Sequence, residues 1–358
     1  MIILGIETSC DETAAAIVEN GTEILSNVVA SSVELHKKTG GIIPEVAARE
    51  QIKCIIPVIQ ESMQLANGEW RMANGKTINY TPLAINQLDA IAVTVGPGLI
   101  GSLLVGVETA RTLAYVWQKP IIPINHLQAH IYANFIREIR NPKSEIRNIF
   151  PAIGLVVSGG HTDLILIKTH GKIKWLGGTR DDAAGECFDK CARTLGLGYP
   201  GGPEIEAIAS KFKIQNSKFE INLPRPMINQ KNFDFSFSGL KTAVIRQTQN
   251  KLSEAKKAAL AMEIQKAITD CLVGKTVRAI KKYPVKSILL SGGVAANTLL
   301  RETLKTKSQE LGIQFFVPLR KFCTDNAAMI ASCAFFNYKP IPWQRIKADP
   351  SLTVSDKI

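Results

Sequence analysis

Apolar runs rich in β-formers recur along this chain, and several break abruptly into glycine-rich or polar turns. Residues 2–6 are apolar, Glu7-Thr8-Ser9-Cys10-Asp11-Glu12-Thr13 is polar, and Ala14–Val18 is apolar again. Asn20-Gly21 follows, a two-residue hairpin signal because both residues tolerate positive φ. The opening therefore predicts strand, polar turn, strand, hairpin, strand. Residues 44–66 place Ile52, Ile55, Ile56 and Ile59 at helical spacing, with Pro44 near the start and Pro57 inside, where it can kink a helix. Residues 67–87, with Asn67-Gly68 and Asn74-Gly75, read as a polar surface insertion. Ile91–Val95 predicts a buried strand ended by Gly96-Pro97-Gly98, Gly101–Trp117 a helix, and Ile121–Ile124 a short strand running into Asn125-His126.

A polar, basic stretch at 137–149 reads as a linker between lobes. Beyond it, Ala152–Val157 and Leu164–Lys168 repeat the opening pattern, and Leu4–Ser9 aligns with Leu155–Gly160. Residues 252–282 predict a long helix with an Ala/Lys face. A strand at Ser287–Leu290 and a helix starting near Asn297 follow. Strands alternating with helices in two similar halves predict an α/β fold. Coincidence among strand–helix turns is the competing account of the repeat.

Two of the breaks are Ser-Gly-Gly, at Ser158-Gly159-Gly160 after Val156 and Val157, and at Ser291-Gly292-Gly293. A turn nearly free of side chains lets backbone N–H groups approach an anion closely. The pair suggests a phosphate-binding nucleotide cleft built between repeated halves; a tight structural turn is the bland reading of each. Asn297 can hydrogen-bond a base or ribose, or simply cap its helix.

Length and composition narrow the class. A chain of 358 residues with 46% apolar content holds about two domains with substantial cores. No uncharged apolar run reaches the roughly 18 residues that a membrane span needs, and the first residues do not read as a signal peptide. Seven cysteines, an odd number without a framework, suit a reducing cytoplasm. The net charge of +12 favours an acidic partner, RNA among them, although biased surface composition produces the same number. No aromatic-plus-basic RNA-binding motif accompanies it.

Three clusters can carry chemistry. In Asn125-His126-Leu127-Gln128-Ala129-His130 the histidines are four apart, on one helical face, where both imidazoles can reach one metal ion. Two ligands are too few, and Asp325 in Cys323-Thr324-Asp325-Asn326 is an acidic candidate for the third. The alternative is a pair of buried structural histidines. The metallopeptidase pattern His-Glu-x-x-His is broken, since Leu127 stands where the glutamate base belongs. The second cluster is Asp181–Lys190, followed by Tyr199-Pro200-Gly201-Gly202-Pro203 and Glu206. Its carboxylates can bind ribose hydroxyls or a cation, or can belong to a helix that is acidic in its first turn. The third is Asp11 and Glu12, able to position a nucleophile or a metal-bound phosphate, or to stabilise the turn. Cys187 and Cys191 read as interior packing.

Taken together, several segments resemble the universal tRNA threonylcarbamoyladenosine transferase family, in its bacterial and organellar branch. They are Leu4–Thr13, Gly40–Glu45, Gly96–Gly101, the His126/His130 pair, Val157–Thr162, Asp181–Lys190, Pro200–Pro203, Pro224–Met227, Phe235–Thr242, Ser291–Asn297 and Cys323–Asn326. The likeness spans roughly 1–335 in order. It implies the actin-like, sugar-kinase-like ATPase fold, with two duplicated lobes around a central cleft. The lobes would be 1–130, to which helices near 325–345 return, and 131–324, with 345–358 a polar tail. It implies transfer of threonylcarbamoyl from threonylcarbamoyl-AMP to N6 of adenosine 37 in tRNAs reading codons that begin with A. His126, His130 and Asp325 would bind one divalent metal ion, Fe2+ or alternatively Zn2+. Val156, Val157, Ser158, Gly159, Gly160, Asp189, Gly202, Glu206 and Asn297 would hold the donor, with Ser158–Gly160 at its phosphate and acyl end and Ser291–Gly293 with Asn297 at its adenosine end. Asp11 would sit beside the reacting centre. Expected partners are a catalytically inactive paralogue related to the first lobe and a small P-loop ATPase, in the cytoplasm and off the membrane. Departures are the lengthened 67–87 and 137–149 and Cys187 in place of a small residue; none removes a ligand. A small-molecule kinase on the same fold is the runner-up, and it leaves the histidine pair without a role.

Overall fold

A computed structural model describes residues 1–66, 83–137, 148–211, 221–249, 252–356 and 358. Most of the predicted insertion (67–82) and of the predicted linker (138–147) lies outside them. The chain divides into two compact units. Unit 1 comprises Met1–Arg147 and Thr324–Ile358, and unit 2 comprises Asn148–Cys323.

In unit 1, β1 (Ile2–Glu7) runs antiparallel to β2 (Glu12–Glu19) and parallel to β4 (Ala90–Gly96). Strand β3 (Glu23–Ser31) extends the sheet beyond β2, and β5 (Ile121–Asn125) extends it beyond β4. A central strand covered on both faces carries a continuous apolar run rather than an alternating one, and Ile3, Leu4 and Ile6 are fully buried. The hairpin loop is three residues long, because Glu19 pairs with Glu23 and Asn20 and Gly21 take positive φ. Helices α1 (Val33–Thr39), α2 (Pro44–Ala66) and α3 (Ile100–Trp117) follow, with α2 running on through Pro57. Then come α4 (His126–Tyr132) and, late in the chain, α10 (Ala327–Phe336). Eight residues of α10 are buried. It lies so close over β1 that a Cβ on Gly5 would stand 2.3 Å from the Ala327 carbonyl oxygen.

Unit 2 repeats the plan. Strand β6 (Ala152–Val157) is central, antiparallel to β7 (Thr162–Thr169) and parallel to β9 (Ser287–Ser291), with β8 (Lys172–Gly178) and β10 (Gln314–Phe316) at the edges. Among the described residues the sheets run β3-β2-β1-β4-β5 and β8-β7-β6-β9-β10, the same order twice. The duplicated α/β architecture read from the pattern is therefore present. Its helices are α5 (Ala184–Thr194), α6 (Gly201–Ala209), α7 (Ser238–Gln247), α8 (Glu254–Lys282) and α9 (Thr298–Glu310).

Both Ser-Gly-Gly turns lie in unit 2, at the ends of the adjacent parallel strands β6 and β9. The counterpart of Ser158-Gly159-Gly160 in unit 1 is the turn after β1, and that of Ser291-Gly292-Gly293 is Gly96-Pro97-Gly98 after β4. Gly292 has φ +89°, and a Cβ there would stand 2.3 Å from the Val157 carbonyl oxygen, so the second turn seats directly against the first. Residues 345–358 differ from the polar tail expected. Ile346 and Val354 are each 1% exposed, and Asp349 N–H donates to the Val95 carbonyl at 2.7 Å. Widely spaced apolar residues anchor this segment although its average composition is polar.

Candidate active site

Asn125 ends β5 and caps α4, its Oδ1 accepting from Leu127 N (3.0 Å) and Gln128 N (3.2 Å). That cap sets His126 in the first turn and His130 one turn later, their rings edge to face with centroids 4.6 Å apart. Asp325 arrives from the opposite end of the chain. The residue after it, Asn326, caps α10 by accepting from Met329 N at 3.1 Å. The Nε2 atoms of His126 and His130 lie 3.4 and 3.2 Å from the same Asp325 oxygen. One ligand atom from each residue falls within 4.8 Å of the others, the one such cluster among the described residues. Yet His130, 1% exposed, has neither ring nitrogen in a hydrogen bond. Its Nε2 nevertheless faces the Asp325 carboxylate at 3.2 Å, so the three donors gather close enough to reach one ion. Two imidazoles and a carboxylate around one point are a donor set that suits Fe2+ or Zn2+ and leaves coordination positions open.

Behind His126 stands Glu7, fully buried at the end of β1. Its Oε2 lies 3.0 Å from His126 Nδ1 and accepts from Thr94 Oγ1 at 2.6 Å; its Oε1 accepts from Ser9 N at 2.5 Å. Ser9 Oγ is 3.2 Å from the same Nδ1. A carboxylate on Nδ1 fixes the ring orientation and frees Nε2 for a ligand. Sequence reasoning did not single out Glu7. Its signal was a carboxylate closing an otherwise apolar, fully buried strand. Burial works against charge on all three groups, and mutual attraction overrides it. Glu7 and Asp325 are held below the usual carboxylate range by His126, and in the case of Asp325 by His130 as well. His126 is raised by Glu7 and Asp325.

The turn between β1 and β2 carries Asp11, half-buried, and Glu12. Burial first, then the charges of Asp325 and Asp11, push Glu12 up to about 10, so it is a neutral acid at pH 7.

Unit 2 gathers the remaining predicted residues. Val156 and Val157 are fully buried in β6 and offer only backbone to a ligand. Ser158 closes its turn on His161, its N–H donating to the His161 carbonyl (2.8 Å) and its Oγ accepting from His161 N (3.1 Å). A Cβ on Gly159, Gly160, Gly202 or Gly293 would meet nothing within 4 Å. No crowding inside the protein calls for glycine at these four positions, which leave backbone bare on their open side. Asp189 on α5 accepts from Gly201 N at 2.7 Å, fastening α6, and burial raises its carboxyl. Glu206 on α6 accepts from Thr298 N at 3.1 Å. Asn297 caps α9 through Leu300 N (3.0 Å), and its Nδ2 donates to Gln265 Oε1 (2.8 Å). Asp189, Glu206 and Asn297 thus link the starts of α6 and α9 through bonds of their own. Ser291 Oγ, fully buried, has no partner.

The carboxylates ahead of α5 are also engaged. Asp181 accepts from Phe237 N (2.7 Å), Ser238 N (3.3 Å), Ser236 Oγ (2.5 Å) and Ser238 Oγ (2.6 Å). Lys190 bridges Asp182 (2.6 Å) and Glu186 (2.8 Å). Cys187 and Cys191 are buried thiols with sulfurs 3.9 Å apart.

Residues 23–332 match the family model TsaD, tRNA N6-adenosine threonylcarbamoyltransferase. Proteins of that name from Syntrophomonas wolfei and Bacillus subtilis are 49% and 47% identical to this chain. The alignments cover 94% and 93% of it, and 92% and 89% of those proteins. Among solved structures, component A of (R)-2-hydroxyglutaryl-CoA dehydratase from Acidaminococcus fermentans superposes with a TM-score of 0.52 at 16% identity, over 94% of this chain and 98% of that one. HypF from T. kodakarensis gives 0.56 at 14% identity, over 94% of this chain and 47% of that one. These two share the fold, the actin-like ATPase architecture.

Proposed function

This chain belongs to the tRNA N6-adenosine threonylcarbamoyltransferase family, and we propose that it transfers threonylcarbamoyl from threonylcarbamoyl-AMP to N6 of adenosine 37 in tRNAs reading codons that begin with A. The observation that carries the chemistry is the convergence of the buried His126, His130 and Asp325, whose ligand atoms lie within 4.8 Å of one another. These three would hold one divalent ion, Fe2+ in this reading with Zn2+ as the alternative. When bound, the ion supplies a Lewis acid for the donor's phosphate or carbonyl oxygen.

The chain's own residues divide the remaining tasks. The donor is a mixed anhydride, already activated, so no covalent enzyme intermediate is required. A new C–N bond forms from N6 to the carbamoyl carbon, the C–O bond to phosphate breaks, and AMP leaves with the electron pair. One proton leaves N6, and Asp11 accepts it. In unit 2 the bare backbone at Gly159, Gly160 and Gly202, framed by Val156, Val157, Ser158, Asp189 and Glu206, receives the donor, with the Ser291–Asn297 segment at its adenosine end. Orientation of donor and amine supplies the rest of the acceleration. Leu127 in place of a glutamate base argues against peptide hydrolysis, and an imidazole pair is idle in a kinase. The setting in this reading is the cytoplasm, with an inactive paralogue and a small P-loop ATPase as partners. No described helix is long and apolar enough to cross a membrane.

The test incubates purified protein with threonylcarbamoyl-AMP and unmodified tRNA, with and without a chelator and with and without the two partners. Expected are threonylcarbamoyladenosine and AMP in equal amounts, abolished by the chelator and restored by added metal. Absence of transfer under every partner combination overturns the reading. For Asp11, near-normal turnover of Asp11→Asn overturns its assignment.

A further inference from the structure

The backbone that presents Asp11 is held almost entirely from outside its own turn. The Ser9 carbonyl accepts from Leu99 N at 2.7 Å. The Asp11 carbonyl accepts from Ser32 N (3.1 Å) and Ser32 Oγ (2.9 Å). Ser102 Oγ donates to the Cys10 carbonyl at 3.1 Å. One side chain serves three positions at once: Gln51 Nε2 lies 3.2, 2.9 and 3.1 Å from the carbonyl oxygens of Thr8, Cys10 and Glu12.

Gln51 stands on α2 and is 1% exposed. Three carbonyl acceptors fix the amide's orientation, because only its NH2 end can donate to them. Its Oε1 then faces away, buried without a partner. Such an orphaned acceptor costs about 1–3 kcal/mol, a cost that an apolar side chain of the same length would avoid. What the amide provides in exchange is a grip on the carbonyls immediately before and after Asp11. Asp11 and Gln51 also line one cavity of about 90 Å³, together with Ser31, Ser32 and Glu50.

We infer that Gln51 is a positioning residue for the transfer reaction, holding the Cys10 and Glu12 carbonyls so that the Asp11 carboxylate meets the N6 proton in a fixed place. The inference rests on the role given to Asp11 above. A displacement near 1 Å at a reacting group can cost on the order of 100-fold in rate, so a residue that never touches substrate can still set turnover.

The experiment compares wild type, Gln51→Met, Gln51→Glu, Asp11→Asn and the Asp11→Asn/Gln51→Met double variant, in saturating donor and tRNA, with metal content and thermal unfolding measured alongside. Gln51→Met keeps the length and removes the donors; Gln51→Glu keeps the shape and turns an acceptor toward the three carbonyls. Expected is a drop in kcat of about 10- to 100-fold in both Gln51 variants, with KM for donor and tRNA within about twofold and metal content unchanged. In the double variant, Gln51→Met should slow Asp11→Asn by less than about twofold, because both changes act through one carboxylate. A purely structural glutamine gives losses that multiply, or losses confined to stability or KM, and any of these overturns the inference. If one Gln51 variant does not fold, the other carries the comparison. A normal kcat in the Gln51 variants beside a slow Asp11→Asn sinks this inference alone, whereas a normal Asp11→Asn sinks the role of Asp11 itself.

Discussion

At the scale of single residues, the arrangement turns on groups placed where they cannot be satisfied by the protein alone. His130 is buried with its Nε2 3.2 Å from Asp325 and its Nδ1 without a hydrogen bond, while His126 is clasped from behind by Glu7. Removing His130 (His130→Ala) should abolish stoichiometric metal and with it transfer, read by elemental analysis and the transfer assay. Glu7→Gln should be subtler. It keeps a partner for Nδ1 but removes the charge that sharpens Nε2 as a donor, and a loss of about 10- to 100-fold in metal affinity is expected in a chelator competition. Unchanged affinity would show that Glu7 merely fills space. The histidine pair was legible because helical spacing places i and i+4 side by side, and Asp325 was legible as the acidic candidate for a third ligand; Glu7 was not, because its proximity to His126 is made by tertiary folding across a separation of 119 sequence positions. Asp163 offers a separate test in unit 2. Burial raises its carboxyl, and the bond from Trp175 Nε1 at 2.9 Å opposes this only in part. A carboxyl raised on folding destabilises when ionised, so its cost is absent below the unfolded pKa and complete above the folded one. Asp163→Asn should therefore gain stability relative to wild type at pH 7, and that gain should vanish by about pH 3, seen in denaturant titrations at both pH values. A pH-independent difference would refute the account.

At the scale of elements, the helix starts do the positioning. Asn125 and Asn326 each cap a helix beside a candidate metal ligand, and Asn297 is at once a cap and a candidate ligand residue. For Asn297 the sequence left capping and ligand binding level, and the cap is present. Asn297→Ala would strip Leu300 N and Gln265 Oε1 of their partners in a buried place. A loss of about 2–3 kcal/mol is expected in urea unfolding. Wild-type stability with a raised KM for donor would instead make Asn297 a ligand residue first. Elements with long apolar runs, such as β4 and α3, were legible from pattern. Edge strand β8 was not, since Lys172, Lys174 and Trp175 are exposed along it and its pattern resembles a loop. Strand β10 is only three residues long, too short for any period to register.

At the scale of the whole molecule, duplication accounts for the placing of the two Ser-Gly-Gly turns. Each sheet places two chain reversals side by side, after its first and fourth strands, and in unit 2 both happen to be Ser-Gly-Gly. The repeat and the match of Leu4–Ser9 with Leu155–Gly160 were visible in the strand pattern; the match of Gly96-Pro97-Gly98 with Ser291-Gly292-Gly293 required the strand order. In the segment 345–358 composition hid an anchor. It reaches back to the helix that carries both histidines. Asn125 Nδ2 donates to the Thr353 carbonyl (2.8 Å), and Gln128 Nε2 donates to the carbonyls of Val354 and Asp356 (3.0 Å each). Ile346 and Val354 within it are buried. Burying two such side chains is worth about 3–6 kcal/mol as an upper bound. A chain ending at Gln344 should therefore unfold at a lower temperature and hold its metal less tightly, because Asn125 loses a bond that steadies the cap of α4. Asn297→Ala is the control, expected to lower stability through unit 2 while leaving metal content intact. If the shortened chain kept both its melting temperature and its metal affinity, residues 345–358 would be ornament rather than brace, and the placing of His126 and His130 would rest on Asn125 and Asp325 alone.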